Sequence, residues 1–344
     1  MTKKSALLIA FLLFIFLVPN KALAQSKPQM LKAKINAVLP VENTVKLDIL
    51  EKEFELKTIT VTNVNPAVIG QYQTGNKIYV NYYQMPNGQE HFELGEPIRA
   101  TPLIWLLALF AALTLAVARR WGAQSLLGLL FSYLVIFTVI LPLLIKGWSP
   151  VLVSGLGAVL IVPVTFYLSH GFSKKTHLAM IATAISLLAV VFLASLFTAW
   201  CQFTGLVSEE ALFLKTSVGS INFRGLLLAG VVIGTLGILD DITIAQAAVV
   251  EQLKNANPNL KPRDLYKKSM SVGKDHIASM VNTLILVYTG ASLPLLLLFT
   301  QSGLTATQAL NSEIVALEVV KTLVSSVGLI LAVPVTTALS AKFE

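Results

Sequence analysis

From Thr101 onward, long apolar runs alternate with short polar connectors. The runs predict spans at Pro102–Ala118, Gln124–Ile145, Val151–Ser169, Leu178–Trp200, Leu226–Val250, Ile277–Phe299 and Ile314–Ser340. A bilayer core needs roughly 20 consecutive apolar residues per helix, so the pattern predicts about seven transmembrane helices. Turn and charge residues collect in the connectors, as in Arg119-Arg120-Trp121-Gly122, Lys146-Gly147-Trp148-Ser149-Pro150 and the Ser169–His177 stretch with Lys174-Lys175.

Before Thr101 the period changes. Val45, Leu47 and Ile49, then Phe54, Leu56, Ile59 and Val61, sit among polar positions with the period-two spacing of half-buried strands. Ile78-Tyr79-Val80-Asn81-Tyr82-Tyr83 is a strand rich in branched and aromatic residues. Asn63, Asn65-Pro66, Gly75-Asn76 and Pro86-Asn87-Gly88 supply turns. Residues 25–100 therefore read as a small all-β domain, a barrel or sheet of four to six strands.

The first residues read differently again. Lys3 and Lys4 precede an apolar stretch from Ala6 to Val18, followed by Pro19-Asn20 and Ala22-Leu23-Ala24. This is the form of a secretory signal peptide, residues 1–24, cut after Ala24. An uncleaved anchor helix is the alternative, and either one sends residues 25–100 across the membrane.

Composition supports the membrane reading. The chain of 344 residues is 55% hydrophobic and 13% charged, against about 25% charged in soluble domains. The fold class is an α-helical polytopic membrane protein: a transmembrane domain at 101–344 behind an extracytoplasmic β domain at 25–100. The formal net charge of +8 does not indicate a nucleic-acid partner. The basic residues lie in the N-terminal domain and at helix ends, with no aromatic-interleaved basic stripe. With residues 25–100 outside, the inner loops hold Arg119, Arg120, Lys174, Lys175, Lys254, Lys261, Arg263, Lys267, Lys268 and Lys274. The outer loops hold Lys146 and Lys215, with Arg224 at a boundary and the acids Glu209 and Glu210. This bias agrees with the signal segment and places the C-terminus in the cytoplasm. Cys201, the single cysteine, reads as a small apolar residue near a helix end.

The fifth span carries the candidate chemistry. Asp240 and Asp241 fall near the middle of Leu226–Val250. A carboxylate there costs about 2.5–3.5 kcal/mol on insertion scales, which makes a functional site the default reading. Adjacent carboxyls in a low dielectric suit a proton relay or a cation site. The structural alternative is that the span ends near Leu239, leaving both Asp at a polar helix end. Gly230, Gly234, Gly237 and Asp241 step by four, three and four and so share a face. Small residues admit a close helix neighbour, so this face is expected to meet another helix. In the sixth span Asp275, Ser279, Asn282 and Thr289 share a face, with Gly290 beside them. They read either as interhelical glue or as the lining of a path past the Asp pair. His276 sits at the membrane edge, and Glu318 and Lys321 are spaced to pair. No Lys or Arg lies deep in a span, so counter-charge for the Asp pair is expected from a bound ion or another subunit.

His91 beside Glu90 and Glu93 lacks further ligands at a recognisable metal spacing. There is no Ser/His/Asp set, no His-Glu-x-x-His, no Walker loop and no dinucleotide fingerprint. Enzymatic activity and cofactors are not expected.

The stretch from Gly234 to Phe299 resembles the YibE/F family of bacterial multi-pass membrane proteins. The resemblance rests on Gly-x-x-x-Asp at Gly237–Asp241, Gly-Lys-Asp at Gly273–Asp275, Met280-Val281-Asn282-Thr283-Leu284 and Tyr288-Thr289-Gly290-Ala291-Ser292-Leu293-Pro294-Leu295. Lys274 stands where the family pattern has Arg. The order of signal segment, β domain, Arg-Arg-Trp-Gly turn and helix bundle is also similar. The resemblance implies a membrane protein of the kind described as a predicted permease, without a substrate. Gly237-Ile238-Leu239-Asp240-Asp241 more faintly resembles the central helix of RND-type transporters and the SecDF translocation partners, which implies proton coupling. The leading expectation is a proton- or cation-coupled secondary transporter for an unidentified small solute or ion. The alternative is a non-transporting scaffold presenting the β domain to a partner. The expected partners are the lipid bilayer and a second copy or other membrane subunit.

Overall fold

The structure, a computed structural model, describes residues 29–51, 58–62, 64–84, 90–219 and 221–343. The signal segment 1–24 and the expected strand and turn positions Phe54, Leu56, Asn63 and Pro86-Asn87-Gly88 lie outside them. The chain falls into two compact units, Met1–Phe110 and Ala111–Glu344.

The first unit is built on five strands: β1 (Gln29–Leu39), β2 (Thr44–Ile49), β3 (Thr58–Val61), β4 (Lys77–Gln84) and β5 (Glu90–Pro97). They form one antiparallel sheet in the order β3-β2-β1-β4-β5. Alternation decides which side is buried: Leu31, Ala33 and Ile35 of β1 face inward with Val45, Leu47 and Ile49 of β2 and Ile78 and Val80 of β4. β1 pairs with β4 along its first half and with β2 along its second, with a register shift between Ile35 and Ala37. Such a bulge bends a strand, and β3 comes close to β5. The short helix α1 (Pro66–Ile69) precedes β4 and adds Ile69 to the core, beside Val64 and Tyr72. Gly95 is required in β5, because a Cβ there would lie 2.9 Å from the Tyr79 carbonyl oxygen.

Five helical stretches among the described residues are long and apolar enough to cross a membrane. The first, Ala100–Ile145, comprises α2 (Ala100–Val135), a π-helical turn at Ile136–Ile140 and α3 (Leu141–Ile145). The others are α4 (Pro150–His170), α5 (Lys174–Trp200), α7 (Phe223–Ala256) and α11 (Glu313–Phe343). A bent pair, α8 (Pro262–Ala291) and α9 (Leu293–Gln301), makes a sixth. Two short helices, α6 (Glu209–Ser217) and α10 (Ala306–Asn311), occupy stretches expected as loops.

The first two expected spans lie on either side of a break inside α2. Arg119 has φ 47° and ψ −121°, far from helical values. A Cβ on Gly122 would run into the Thr114 carbonyl oxygen, although residues eight apart in a straight helix are separated by about 12 Å. The chain therefore folds back at the expected Arg119–Gly122 turn. The π turn has its cause in Pro142, which has no N–H to offer the preceding turn. The Leu141 N–H instead reaches back five residues to the Ile136 carbonyl. The sixth expected span is corrected from one straight helix to two segments meeting at 61°. Pro294 stands at the start of α9, where its ring and missing N–H prevent continuation of α8.

Helices α5, α7 and α11 pack against one another at the centre, with α4 on α7 and α8 on α11 and α7. Val190, Ala194, Val231, Leu239, Ile242, Val324, Ala332 and Val333 form the largest buried cluster of this unit. Hydroxyl and amide bonds fix the register. Thr183 pairs with Thr243 at 2.8 Å and Thr235 with Ser325 at 2.7 Å. Gln246 Nε2 donates to the Ser269 carbonyl at 3.1 Å and to Thr337 Oγ1 at 2.8 Å. Bonds of this kind between membrane helices contribute about 0.6–2 kcal/mol each. At the far end of α5, the Glu313 carboxylate that opens α11 accepts the backbone N–H groups of Thr204 (2.6 Å) and Gly205 (2.9 Å) and the Thr204 hydroxyl (2.9 Å).

Candidate functional site

Asp240 and Asp241 sit within an unbroken helix. α7 continues fifteen residues beyond Asp241 to Ala256, so the helix does not end at Leu239. Asn222 starts it by accepting the Gly225 N–H at 3.0 Å. The Thr183–Thr243 bond gives the depth of the pair. Thr183 is nine residues into α5, about 13 Å from its start, and Asp240 lies one turn beyond Thr243, at about 18 Å.

The pair forms one wall of a polar cavity of about 510 Å³. The folded-back segments of α2 contribute Thr114, Ala118, Trp121, Gly122 and Ser125. The end of α4 contributes Ser169 and His170, and the start of α5 contributes Lys175. Gly171 ends α4 at φ 73°, and Ser173 caps α5 by accepting the Thr176 N–H at 3.2 Å. These two residues turn the chain tightly enough to keep His170 and Lys175 on the same cavity.

The two carboxyls differ. Asp241 is exposed, whereas Asp240 is partly buried and its Oδ1 is enclosed without a hydrogen bond among the described residues. Thr243 Oγ1 reaches the Asp240 carbonyl at 3.3 Å and leaves the carboxyl alone. Lys175 is the ammonium of the cavity, and it is held at 2.8 Å by Glu251, ten residues further along α7 than Asp241. Arg120 is stacked on Trp121, 5.1 Å from the ring centroid. The cavity thus holds two carboxyls, one imidazole and one ammonium that already has a partner. Such a site can accept a proton or a cation, and its hydroxyls can orient a small polar solute.

The other expected positions lie elsewhere. Asp275 and Asn282 are exposed on α8 and do not line the cavity. The tight packing expected at Gly230, Gly234, Gly237 and Gly290 is not made among the described residues: a Cβ on any of them meets nothing within 4 Å there. α7 packs through a different face, that of Thr235, Leu239, Ile242, Thr243 and Gln246. Close glycine contacts do occur at Gly157 on Ile140, Gly273 on Gln246 and Val333, and Gly328 on Val190. Glu318 and Lys321 pair at 2.8 Å as their spacing predicts. His170, Lys175, Ser169, Trp121 and Ser125 were not read as site residues, because they stand in connectors or at span ends whose approach to α7 leaves no periodic signal.

The apolar helices and the carboxylate-bearing span define a multi-pass membrane protein. Residues 106–344 match the model of the YibE/F-like protein family, and the chain belongs to that family. Neither a curated protein nor a solved structure matches it.

Proposed function

We propose that the protein is a secondary permease, or the membrane subunit of one, coupled to protons or cations through Asp240 and Asp241. The observation that carries this reading is the Asp240 carboxyl, whose Oδ1 is enclosed without a hydrogen-bond partner among the described residues, beside a polar cavity and in a helix apolar enough to span a membrane. Such a group is retained against its cost in stability where it handles charge.

In this reading the chain crosses the membrane seven times, the fold-back at Arg119 and the bent α8–α9 pair each adding one crossing to the five long apolar helices. The Trp121-Gly122 and Ser169–Lys175 connectors that line the cavity then stand on the cytoplasmic side. A hydrophobic carbodiimide applied to native membranes tests the site. Asp240 is expected to be modified, with an excess of a transported cation protecting it. Asp240→Asn is expected to abolish coupled uptake. If Asp240 remains unmodified while other membrane carboxyls react, the coupling role is lost.

The alternative, a scaffold that presents the β domain, draws support from the β4–β5 hairpin. Tyr83 pairs with the exposed His91 at 6.2 Å and suits a partner contact, while Tyr82 and Phe92 (5.3 Å) pack on the domain core. The strand order, with a short helix between β3 and β4, suits a small barrel of the OB type, whose faces bind extended polymers. Full coupled uptake by a chain lacking this domain would remove that alternative.

A further inference from the structure

We infer that the outward face of strands β1, β2 and β4 is a docking surface for the anionic lipid headgroups of the bilayer that α2 enters. The inference rests on the membrane reading of α2 and is independent of transport.

The charge of the first unit is segregated. Lys32 and Lys34 of β1, Lys46 of β2 and Lys77 of β4 are all the lysines among its described residues. They alternate with Leu31, Ala33, Val45, Leu47 and Ile78 of the core, so all four are exposed on the opposite, outward face. Pairing gathers them. Lys34 stands opposite Lys77, and Lys32 stands opposite Tyr79, about 7 Å further along β1. Lys46 lies across the other side of β1, level with Ala37. Like charges directly opposite one another destabilise a sheet, and Lys34 with Lys77 is such a pair. The acids of this face are already engaged. Asp48, opposite Lys34, accepts the Thr58 hydroxyl at 2.7 Å, and Glu93 lies 3.6 Å from the His91 ring. None of the four ammonium groups closes a salt bridge among the described residues.

Position supplies the partner. The first unit runs to Phe110 and so includes the start of α2. The chain leaves the sheet beside Lys77, whose carbonyl accepts the Ile98 N–H at 2.9 Å, and α2 opens at Ala100. Leu103, Ile104, Trp105 and Leu106 follow within two turns, all exposed. Lys77, and Lys34 opposite it, therefore stand where the first span meets the headgroups.

Chemistry favours a bilayer over a discrete anion. The face carries Lys and no Arg. Lysine is a flexible, strongly hydrated point charge, whereas arginine makes the paired bonds that single out one phosphate or carboxylate. Met30, 64% exposed, and Tyr79 share the face. Tyrosine suits the boundary between headgroup and acyl chain. Each lysine near an anionic membrane surface favours docking by about fivefold.

The full chain in lipid nanodiscs tests the surface. Cys201 is the only cysteine, so Met30→Cys in a Cys201→Ser background carries a single fluorophore. Position 30 is four residues, about 13 Å, from Lys34 and away from the exit to α2. Only a face laid along the bilayer brings the dye to lipids with a nitroxide on the headgroup. Quenching is expected in discs containing phosphatidylglycerol and much weaker quenching in phosphatidylcholine alone. The ratio of docked to free domain should fall at least about tenfold in about 1 M salt, where the Debye length is about 3 Å. The same fall is expected when Lys32→Gln, Lys34→Gln, Lys46→Gln and Lys77→Gln are combined. Salt leaves the lysines in place, so its effect is read even where the fourfold variant fails to fold. Equal quenching in both discs, or quenching indifferent to salt, overturns the surface. So does protection of the four lysines from an amine-reactive reagent by soluble polyphosphate where the dye stays unquenched, since the face would then take a free polyanion.

Discussion

The Lys175 ammonium lies 2.8 Å from the Glu251 carboxylate while lining the same cavity as Asp240 and Asp241. The pair is half-buried and joins the start of α5 to α7 across 76 positions of sequence. It keeps the one ammonium of the cavity away from the Asp pair.

Glu251→Gln should release that ammonium. The expected outcome is a fall in carbodiimide modification of Asp241 as Lys175 turns to the nearest carboxylate. Stability should fall by only about 1 kcal/mol or less, since partly exposed ion pairs contribute little. Peptide mapping of the modified protein and thermal unfolding in detergent check the two halves separately.

Asp240→Asn should stabilise the protein while removing coupled activity. The replacement keeps the shape and removes the ionisable carboxyl, whose Oδ1 is enclosed without a partner among the described residues, while leaving a neutral amide, so the gain is expected to be under about 1 kcal/mol. A higher midpoint in thermal unfolding alongside lost uptake is expected; a lower midpoint would show that the carboxyl has a structural partner.

Two glycine substitutions should act in opposite directions. Gly328→Ala drives a methyl into Val190 and should destabilise the chain by about 1–3 kcal/mol. Gly237→Ala meets nothing among the described residues and should stabilise the detergent-dispersed protein by up to about 1 kcal/mol through helix propensity. Denaturation of the two variants under matched conditions gives the comparison.

The β domain should lose stability in acid through Asp48. Hydrogen bonds from the Asn36 side chain and from the Thr58 hydroxyl (2.7 Å) hold this carboxyl below its ordinary range. The folded state thus binds the proton less readily than the unfolded one. The stabilisation is present above the unfolded value of about 3.9 and is lost as pH falls through the folded value. Amide exchange in β2 and β3 should accelerate on acidification, and Asp48→Asn should flatten that dependence.

Long apolar runs and period-two strands were legible because each is a local pattern. Glu313–Phe343 lies within three residues of its expected ends, and Phe223–Ala256 begins three residues before its expected start and runs six past its expected end. The depth of Asp240 followed from position along one run. The neighbours of Asp240 were not legible, since His170 and Lys175 arrive through the tertiary folding of the Ser169–His177 connector. The glycine face of α7 was legible as a face, but not its vacancy within the chain, because spacing reports which residues share a side and not what stands opposite. The bend at Pro294 was written in a residue that hydropathy counts as unremarkable.

The Glu313 carboxylate, held by Thr204 and Gly205, has a mechanical meaning. It rivets the ends of α5 and α11 that lie farthest from the cavity mouth, while Thr183–Thr243 and Thr235–Ser325 brace the same helices along their length. That half of the bundle forms a stiff frame. Across the cavity, the two arms of α2 come so close at Gly122 and the Thr114 carbonyl that no side chain fits between them.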